Sequence, residues 1–426
     1  MHGSAPEITD RTRQTRGHLS NSPCYASCLE FLDVLITSAI VGPSVIAYWR
    51  GTWNLCEDYL IPDNNVYSAA TSFGIGVLGN LFFTFFQGFF SGNFKPDKYR
   101  LTFYLVSRLY TYIFGAVCVN GWRGPWALTD IFTGFNLFVV VSLTSLAIVL
   151  LTVIKGLRNL SAAPFVIVTD GHVDYFQVTT MFKTSGSHEP GLYVLDCIFS
   201  VLVVGTLVVV AWRGSWVFLD LTLYPGNPTY SAWGSLVIGY GIVGLTFALQ
   251  PIMRWTCDRL TGLWRIAVAD IFLFLSFLGT INVWRGVWQL LDIYFLPDNR
   301  LLSDWLTHGL SFVLLALLNC SNSVLVRGVY IDAEEPAGQC VVFPIHYIRL
   351  FFQKERTKKQ RRLLDALERQ DQNNTMFLLD KSQTNNIKIV KSNVGKLSDP
   401  EMKQLTNLTN LSERTKNGTD QNVLKD

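Results

Sequence analysis

The apolar residues of this chain are gathered in eight long runs that contain few charges. Each run is about 20 residues long, which is the length of a helix that crosses a hydrocarbon core. They lie at 31–49, 66–88, 101–122, 135–154, 192–212, 229–250, 266–284 and 305–326. The pattern therefore predicts an all-α, polytopic membrane helix bundle of eight transmembrane helices.

The distribution of Lys and Arg predicts the orientation of this bundle, because basic loops stay on the cytoplasmic side. The N-terminal arm and the loops 95–100, 155–191 and 254–265 hold twelve Lys and Arg, whereas the alternate loops hold five. Both termini are therefore predicted to be cytoplasmic. The predicted parts are an arm (1–30), a first half (31–154), a central loop (155–191), a second half (192–326) and a tail (327–426).

One motif, W-R-G-x-W followed by an acid, occurs four times, at the predicted outer ends of the odd-numbered spans. The copies start 73, 90 and 72 residues apart, which predicts two homologous halves of four spans, each made of two helix-loop-helix units. Pro and Asn follow the acid in three copies, and the second copy lacks this Pro. The motif residues are Trp49, Arg50, Gly51, Trp53, Glu57, Trp122, Arg123, Gly124, Trp126, Asp130, Trp212, Arg213, Gly214, Trp216, Asp220, Trp284, Arg285, Gly286, Trp288 and Asp292.

An even number of spans in each half predicts two parallel halves, related by an axis along the membrane normal. This argues against an inverted-repeat transporter. It permits a parallel-repeat transporter, a pseudosymmetric channel or a rigid bundle. The motif has two interpretations: an aromatic belt with ion-paired turns, or an outer vestibule lined by four Arg and four acids. Four equal copies favour the first.

Small residues inside two spans predict close helix packing. The strings GIGVLG and GYGIVG lie at equivalent places in spans two and six, where no strand precedes them, so a dinucleotide site is disfavoured. Their glycines are Gly74, Gly76, Gly79, Gly239, Gly241 and Gly244.

Ionisable residues inside spans are functional candidates by default. Asp33, Arg108, Asp196 and Asp270 are such residues, and all four lie near the predicted cytoplasmic face. That depth favours a structural pairing of Arg108 with one of the three Asp residues over a conduction site. His308, near the outer end of span eight, is interpreted as a packed polar residue.

The predicted cytoplasmic segments carry further signals. In the central loop, FVIVTDGHVDYFQV predicts two short strands around Asp170 and Gly171. The tail near 346–370 predicts a basic helix that binds anionic lipid or an acidic partner such as calmodulin, or that simply continues the last span into solvent. The residues after 370 are predicted to be disordered. The basic patch comprises Lys354, Arg356, Lys358, Lys359, Arg361 and Arg362.

Composition excludes several classes of function. The chain has 426 residues, of which 49% are hydrophobic and only 16% charged, so an ordinary soluble enzyme is excluded. Its eight Cys are scattered, which disfavours a disulfide framework, although Cys24 and Cys28 are candidates for palmitoylation. No catalytic, metal-ligand or cofactor motif occurs, so we predict no enzyme activity and no cofactor. The predicted environment is a lipid bilayer, and no nucleic acid is a predicted partner.

The four motif copies over eight spans resemble the Fuseless family of eight-pass neuronal membrane proteins of invertebrates. The resemblance covers about residues 30–355, and the second copy, with Pro125 inside the motif, is the most divergent. It implies a presynaptic plasma-membrane protein that organises voltage-gated calcium channels at the active zone and supports transmitter release. The residues alone leave two functions open: an organiser of other proteins, or a transporter or channel with a pathway along the pseudosymmetry axis. The resemblance favours the organiser.

Overall fold

The described part of the chain is a helical bundle. The computed structural model describes residues 23–95, 100–170, 174–184, 186, 189–332, 334, 338–343, 362 and 369. Within these residues there are helices and turns but no strand. The α-helices are α1 (Pro23–Ile36), α2 (Gly42–Tyr59), α3 (Asn65–Phe85), α4 (Gln87–Asn93), α5 (Arg100–Thr133), α6 (Leu137–Val153), α7 (Pro190–Ile198), α8 (Gly205–Thr222), α9 (Pro228–Arg259), α10 (Gly262–Tyr294) and α11 (Arg300–Leu317).

Six of the helical stretches are long and apolar enough to cross a membrane. Two of them contain a π-helical segment: Thr37–Val41 joins α1 to α2, and Phe199–Val204 joins α7 to α8. The six are Cys28–Tyr59, Asn65–Phe85, Leu101–Thr133, Pro190–Thr222, Pro228–Arg259 and Gly262–Tyr294. The fourth and eighth predicted spans correspond to α6, which is apolar but only 17 residues long, and α11, which begins at Arg300 and contains Asp304. The structure is therefore a helical, multi-pass membrane bundle.

Each copy of the motif lies on a motif helix (α2, α5, α8 or α10) and is followed by a companion helix (α3, α6, α9 or α11). In the turn between them, the residue twelve positions after the first Trp of the motif has a left-handed backbone conformation, with a positive φ angle. That residue is Ile61, Tyr224 or Leu296 in three copies and Gly134 in the second. Glycine adopts this conformation at least cost.

The Asn at the end of the motif starts the companion helix. The side chain of Asn64 accepts hydrogen bonds from Val66 N and Tyr67 N, both at 3.1 Å. Asn136, Asn227 and Asn299 cap their companion helices in the same way. An Asn at this position satisfies N–H groups that have no partner inside the helix. This explains why Asn is present even in the second copy, which lacks the Pro.

Each companion helix packs mainly on the motif helix of the next unit. The packed pairs are α3 with α5, α6 with α8 and α9 with α10, and α11 returns to α2 and closes the circle. The four motif helices also contact one another in the centre, in the order α2, α5, α8, α10. Four units are thus arranged in a ring, with the motif helices inside and the companion helices around them.

The glycine of the motif allows the companion helix of the preceding unit to approach closely. A Cβ atom on Gly51 would lie 2.5 Å from Asp304 O and 2.6 Å from His308 N, both backbone atoms of α11. Gly124 and Gly286 lie as close to the backbones of α3 and α9, and Gly214 lies against the side chain of Thr144 in α6. The glycine therefore sets the distance between neighbouring units.

The six glycines of the paired strings differ in their surroundings. Gly76, Gly79 and Gly239 contact a neighbouring helix, so closely at Gly76 that a Cβ atom would overlap the backbone of Gly121. At Gly74, Gly241 and Gly244, no atom outside the local backbone lies within 4 Å of the position of a Cβ. Residues two apart on a helix point in different directions. The prediction of close packing is therefore wrong for Gly74 in the first string and for Gly241 and Gly244 in the second.

Gly51→Ala is expected to lower the free energy of unfolding by about 1–3 kcal/mol, because the new methyl group displaces the backbone of α11. Gly74→Ala is the matched control, and it is expected to be neutral or to stabilise α3 by about 0.5–1 kcal/mol, since alanine favours the helix. The measurement is the thermal unfolding of the purified protein in detergent. Equal melting temperatures for the two variants would contradict the close approach at Gly51.

Two segments after companion helices fold back into the bundle. After α6 and α11 the chain passes through left-handed residues, Lys155 and Asn319, and then forms short 3-10 helices at Leu157–Leu160 and Ser321–Val324. Phe165 and Val324 are completely buried. The described parts of the central loop, 155–170 and 174–184, therefore pack into the bundle, and no strand occurs in them.

Candidate functional site

Eight tryptophans form two rings around the centre of the bundle. The inner ring, Trp49, Trp122, Trp212 and Trp284, has centroid distances of 5.3–5.6 Å between neighbours. The outer ring, Trp53, Trp126, Trp216 and Trp288, has distances of 5.6–5.9 Å. Every contact is edge to face, and both rings follow the order of the chain and close between the fourth unit and the first.

This arrangement follows from the spacing in the motif. Residues four apart lie on one face of a helix, one turn apart. Each motif helix therefore places its first Trp in the inner ring and its second Trp in the outer ring. An edge-to-face pair contributes about 0.5–1.5 kcal/mol beyond its buried area, and the eight pairs hold the four motif helices together. Each tryptophan contacts both of its neighbours in the ring, so the opening inside the ring is too narrow for a hydrated ion.

Backbone of the two buried segments lies directly against the inner ring. Trp49 Nε1 donates to Val324 O at 2.9 Å, in the segment that follows α11. Trp212 Nε1 and Trp284 Nε1 donate to Leu160 O and Ala163 O, at 3.2 and 2.8 Å, in the segment that follows α6. The centre of the bundle is thus filled by indole rings on one level and by peptide backbone on the next.

Three of the four motif arginines form an ion pair with the acid of the preceding unit. Arg213 Nε donates to Asp130 at 2.7 Å, and Arg285 Nε donates to Asp220 at 2.8 Å. Arg50 Nε donates to Asp292 at 2.7 Å, and this ion pair joins the first unit to the fourth. The sequence left the arginine free to pair within its own unit or with a neighbour, and the structure places these three pairs between neighbours.

A second set of arginine partners was missed in the sequence. The companion helices carry Ser or Thr four and eight residues after the capping Asn in three of the units. Arg285 donates to Ser231 and Ser235, and Arg123 donates to Ser68 and Ser72. Arg50 donates to Ser303 and Thr307 in the same way. The pattern N-x3-S-x3-[ST] was therefore a readable signal.

The interfaces between units are not all equal. In the second unit the residues four and eight positions after the capping Asn136 are Val140 and Thr144, and Arg213 donates instead to Gly134 O at 2.7 Å. Arg123 is the other exception, because its Nε has no hydrogen-bond partner. The acid of the first unit is Glu57, whose carboxylate accepts from Trp53 Nε1 at 2.9 Å and from Arg300 at 3.3 Å.

The four motif arginines are between 1 and 6% exposed. They are held inside the interfaces between units and do not line an open vestibule. Each motif arginine joins its unit to the one before it, through the acid, the Ser or Thr pair, or both. The turns are ion-paired, as the first interpretation of the motif expected, but the tryptophans pack on one another in central rings and do not form a belt.

The two buried segments bind each other by a reciprocal exchange. The carboxylate of Asp170 accepts from Ser321 N and Asn322 N, at 2.8 and 2.7 Å. The carboxylate of Asp332 accepts from Leu157 N and Arg158 N, both at 2.8 Å. Each Asp therefore caps the 3-10 helix of the opposite half. Burial raises the pKa of both carboxyl groups, and these N–H donors oppose the rise.

The intramembrane ionisable residues lie in separate contacts. Arg108 pairs with Asp170 at 3.1 Å, and not with Asp33, Asp196 or Asp270, because Asp170 is brought to it by the buried segment. Asp196 accepts from Thr180 Oγ1 and Phe182 N, at 2.7 and 3.0 Å, and so holds the end of the central loop. Asp33 is completely buried in α1. These residues do not form one continuous polar path.

His308 is a packed polar residue at the edge of a groove of about 440 Å³. Its Nδ1 lies 2.8 Å from Thr52 Oγ1, and its Nε2 lies 3.0 Å from Tyr112 OH. The groove is also lined by Cys56, Asn120 and Trp305, and it lies between the α2–α11 pair and the α3–α5 pair. It is therefore beside the central rings and does not run through them.

Several predicted features fall outside the described residues. These are residues 1–22 of the N-terminal arm, the structure around Gly171 and, except for an exposed Arg362, the tail basic patch. Cys28 is exposed, and the side chain of Cys24 is not described.

The ring of helical units and its motif define a class of multi-pass membrane protein. The sequence model of the Fuseless family matches residues 28–325, which is more than half of the chain. The chain belongs to the Fuseless family. No curated protein and no solved structure matches it.

Proposed function

We propose that this protein is a plasma-membrane scaffold of the presynaptic active zone, where it organises voltage-gated calcium channels and supports transmitter release. The observation that carries the scaffold is the closed pair of tryptophan rings above a centre filled with backbone. Rings that close the axis at two levels favour a scaffold over a pathway along that axis. Membership of the Fuseless family supports the presynaptic assignment.

The proposed topology has eight spans in two parallel halves, with both termini in the cytoplasm and the motif turns outside. The ring contacts support it, because they bring the same end of all four motif helices to one level. The companion helices α6 and α11 complete the eight, since each packs along a motif helix as α3 and α9 do.

The second candidate function is a transporter or channel with a pathway along the pseudosymmetry axis. The closed rings argue against it, and so does the separation of Arg108, Asp196 and Asp270 into different contacts. It predicts ion or solute flux in proteoliposomes that changes when Asp33, Asp196 or Asp270 is neutralised. Absence of flux is the result that we expect.

An organiser needs a surface that partners reach, and the basic tail is the segment proposed for this role. A truncation must spare the buried segment that follows α11, where Val329, Val341 and Phe343 are buried. We therefore place the truncation after Arg349, and use a truncation after residue 390 as the matched control, because it retains the basic patch.

The experiment measures calcium-channel density at release sites and evoked release in neurons that express each form. The truncation after Arg349 is expected to reach the plasma membrane but to lose most channel recruitment, while the longer form retains it. Replacing the six basic residues of the patch by Gln is expected to reproduce the loss. Recruitment that survives removal of 350–426 would contradict a tail-based organiser.

A further inference from the structure

The two halves of the bundle have opposite charges at one equivalent position. Arg108 lies 14 residues before Trp122, and Asp270 lies 14 residues before Trp284. Both motif helices bring these residues to the reciprocal caps formed by Asp170 and Asp332. A cation in the first half therefore corresponds to a carboxyl group in the second.

The site in the first half is complete. Arg108 donates to Asn319 Oδ1 at 3.2 Å and pairs with Asp170 at 3.1 Å. Asp170 N in turn donates to Asn319 O at 2.8 Å, so the three residues form one closed group. The guanidinium balances the charge of the buried carboxylate.

The site in the second half lacks that balance. Asp332 N donates to Lys155 O at 2.8 Å, as Asp170 N does to Asn319 O, so Lys155 and Asp332 are the equivalents of Asn319 and Asp170. The third member is Asp270, which is only 7% exposed and whose Oδ1 is buried without a hydrogen-bond partner. No ion pair to Asp270 within 4 Å occurs among the described residues.

The charged groups near Asp270 are the Asp332 carboxylate and the Lys155 ammonium, and the partly buried Arg158 guanidinium acts on Asp332. The Lys155 side chain is exposed, so Asp270 and Asp332 are two buried carboxyl groups close enough to repel each other. A buried carboxylate without a partner is costly, and two carboxyl groups that share one site do not both ionise readily. Asp332 is held by two N–H donors, so Asp270 is the group that needs compensation.

We infer that the Asp270–Asp332 pair takes up one positive charge from solution, a proton or a small metal cation, in the place that Arg108 fills in the first half. The bound charge completes the contact between α10 and the segment that follows α11. Because only the folded protein assembles this site, uptake stabilises the fold.

The test is the thermal unfolding of the purified full chain in detergent, at several pH values and with Na⁺, K⁺, Ca²⁺ or a bulky organic cation as the only cation. If a proton is bound, the melting temperature falls by several degrees as the pH rises, in every salt. If a metal ion is bound, the melting temperature falls when the organic cation replaces it, and recovers in one metal salt. Either result supports the uptake of a positive charge, and the difference between them shows whether that charge is a proton or a metal ion.

Three variants decide whether Asp270 is the site. Asp270→Asn preserves the shape without the charge, and Asp270→Arg supplies the cation of the first half, so both are expected to lose the dependence. Asp298→Asn, an exposed acid at the turn before α11, is the matched control and should keep it. A response that is absent in the natural chain, or that persists in Asp270→Asn, would overturn the inference.

Discussion

Trp212→Ala is expected to lower the free energy of unfolding by about 3–5 kcal/mol, the range found for truncation of a buried tryptophan. Trp212 is 2% exposed and contacts Trp122, Trp284 and Phe277, at centroid distances of 5.3, 5.4 and 5.7 Å. The variant loses these three contacts, opens the inner ring and leaves Leu160 O without its donor. The measurement is the melting temperature in detergent, followed by size-exclusion chromatography.

The matched control for the ring is Trp264→Ala. Trp264 lies in the first turn of α10 and is 76% exposed, so the same substitution there removes little packing. Trp212→Phe is expected to fall between the two, because it keeps an aromatic ring but not the indole N–H. If Trp212→Ala and Trp264→Ala unfold at the same temperature, the ring does not hold the units together.

Arg285→Met is expected to cost about 3 kcal/mol, because it breaks a buried charge network and leaves its partners unsatisfied. Arg285 is 1% exposed and donates to Asp220, Ser231 and Ser235. Arg285→Lys keeps the charge but not the planar fork of donors, so it is expected to restore only part of the stability. Thermal unfolding measures all of these variants.

The chain contains its own comparison for this prediction. Arg123 occupies the equivalent position and donates to Ser68 and Ser72, but its Nε has no acceptor. Arg123→Met is therefore expected to cost about 1.5–3 kcal/mol less than Arg285→Met, the contribution of one hydrogen bond to a charged group. Equal losses in the two variants would show that the acid of the preceding unit contributes nothing.

Some features of the site could be predicted from residue spacing because they lie on a single helix. The i, i+4 spacing of Trp and the acid at i+8 predicted one helical face, and α2, α5, α8 and α10 continue through these positions. Other contacts join segments distant in the chain. Arg108 meets Asp170, 62 positions later, only because a segment outside the predicted spans folds into the bundle. A hydropathy pattern does not predict that a segment between two spans folds back into the bundle.

The sequence by itself determined the apolar helices, the fourfold motif and the family to which the chain belongs. These follow from composition and from spacing along one helix, which are local properties. Only the tertiary structure decided that the four units close into a ring, that each motif arginine binds the unit before it, and that Arg108 pairs with Asp170. Such contacts depend on which helices become neighbours, and long-range packing sets that choice.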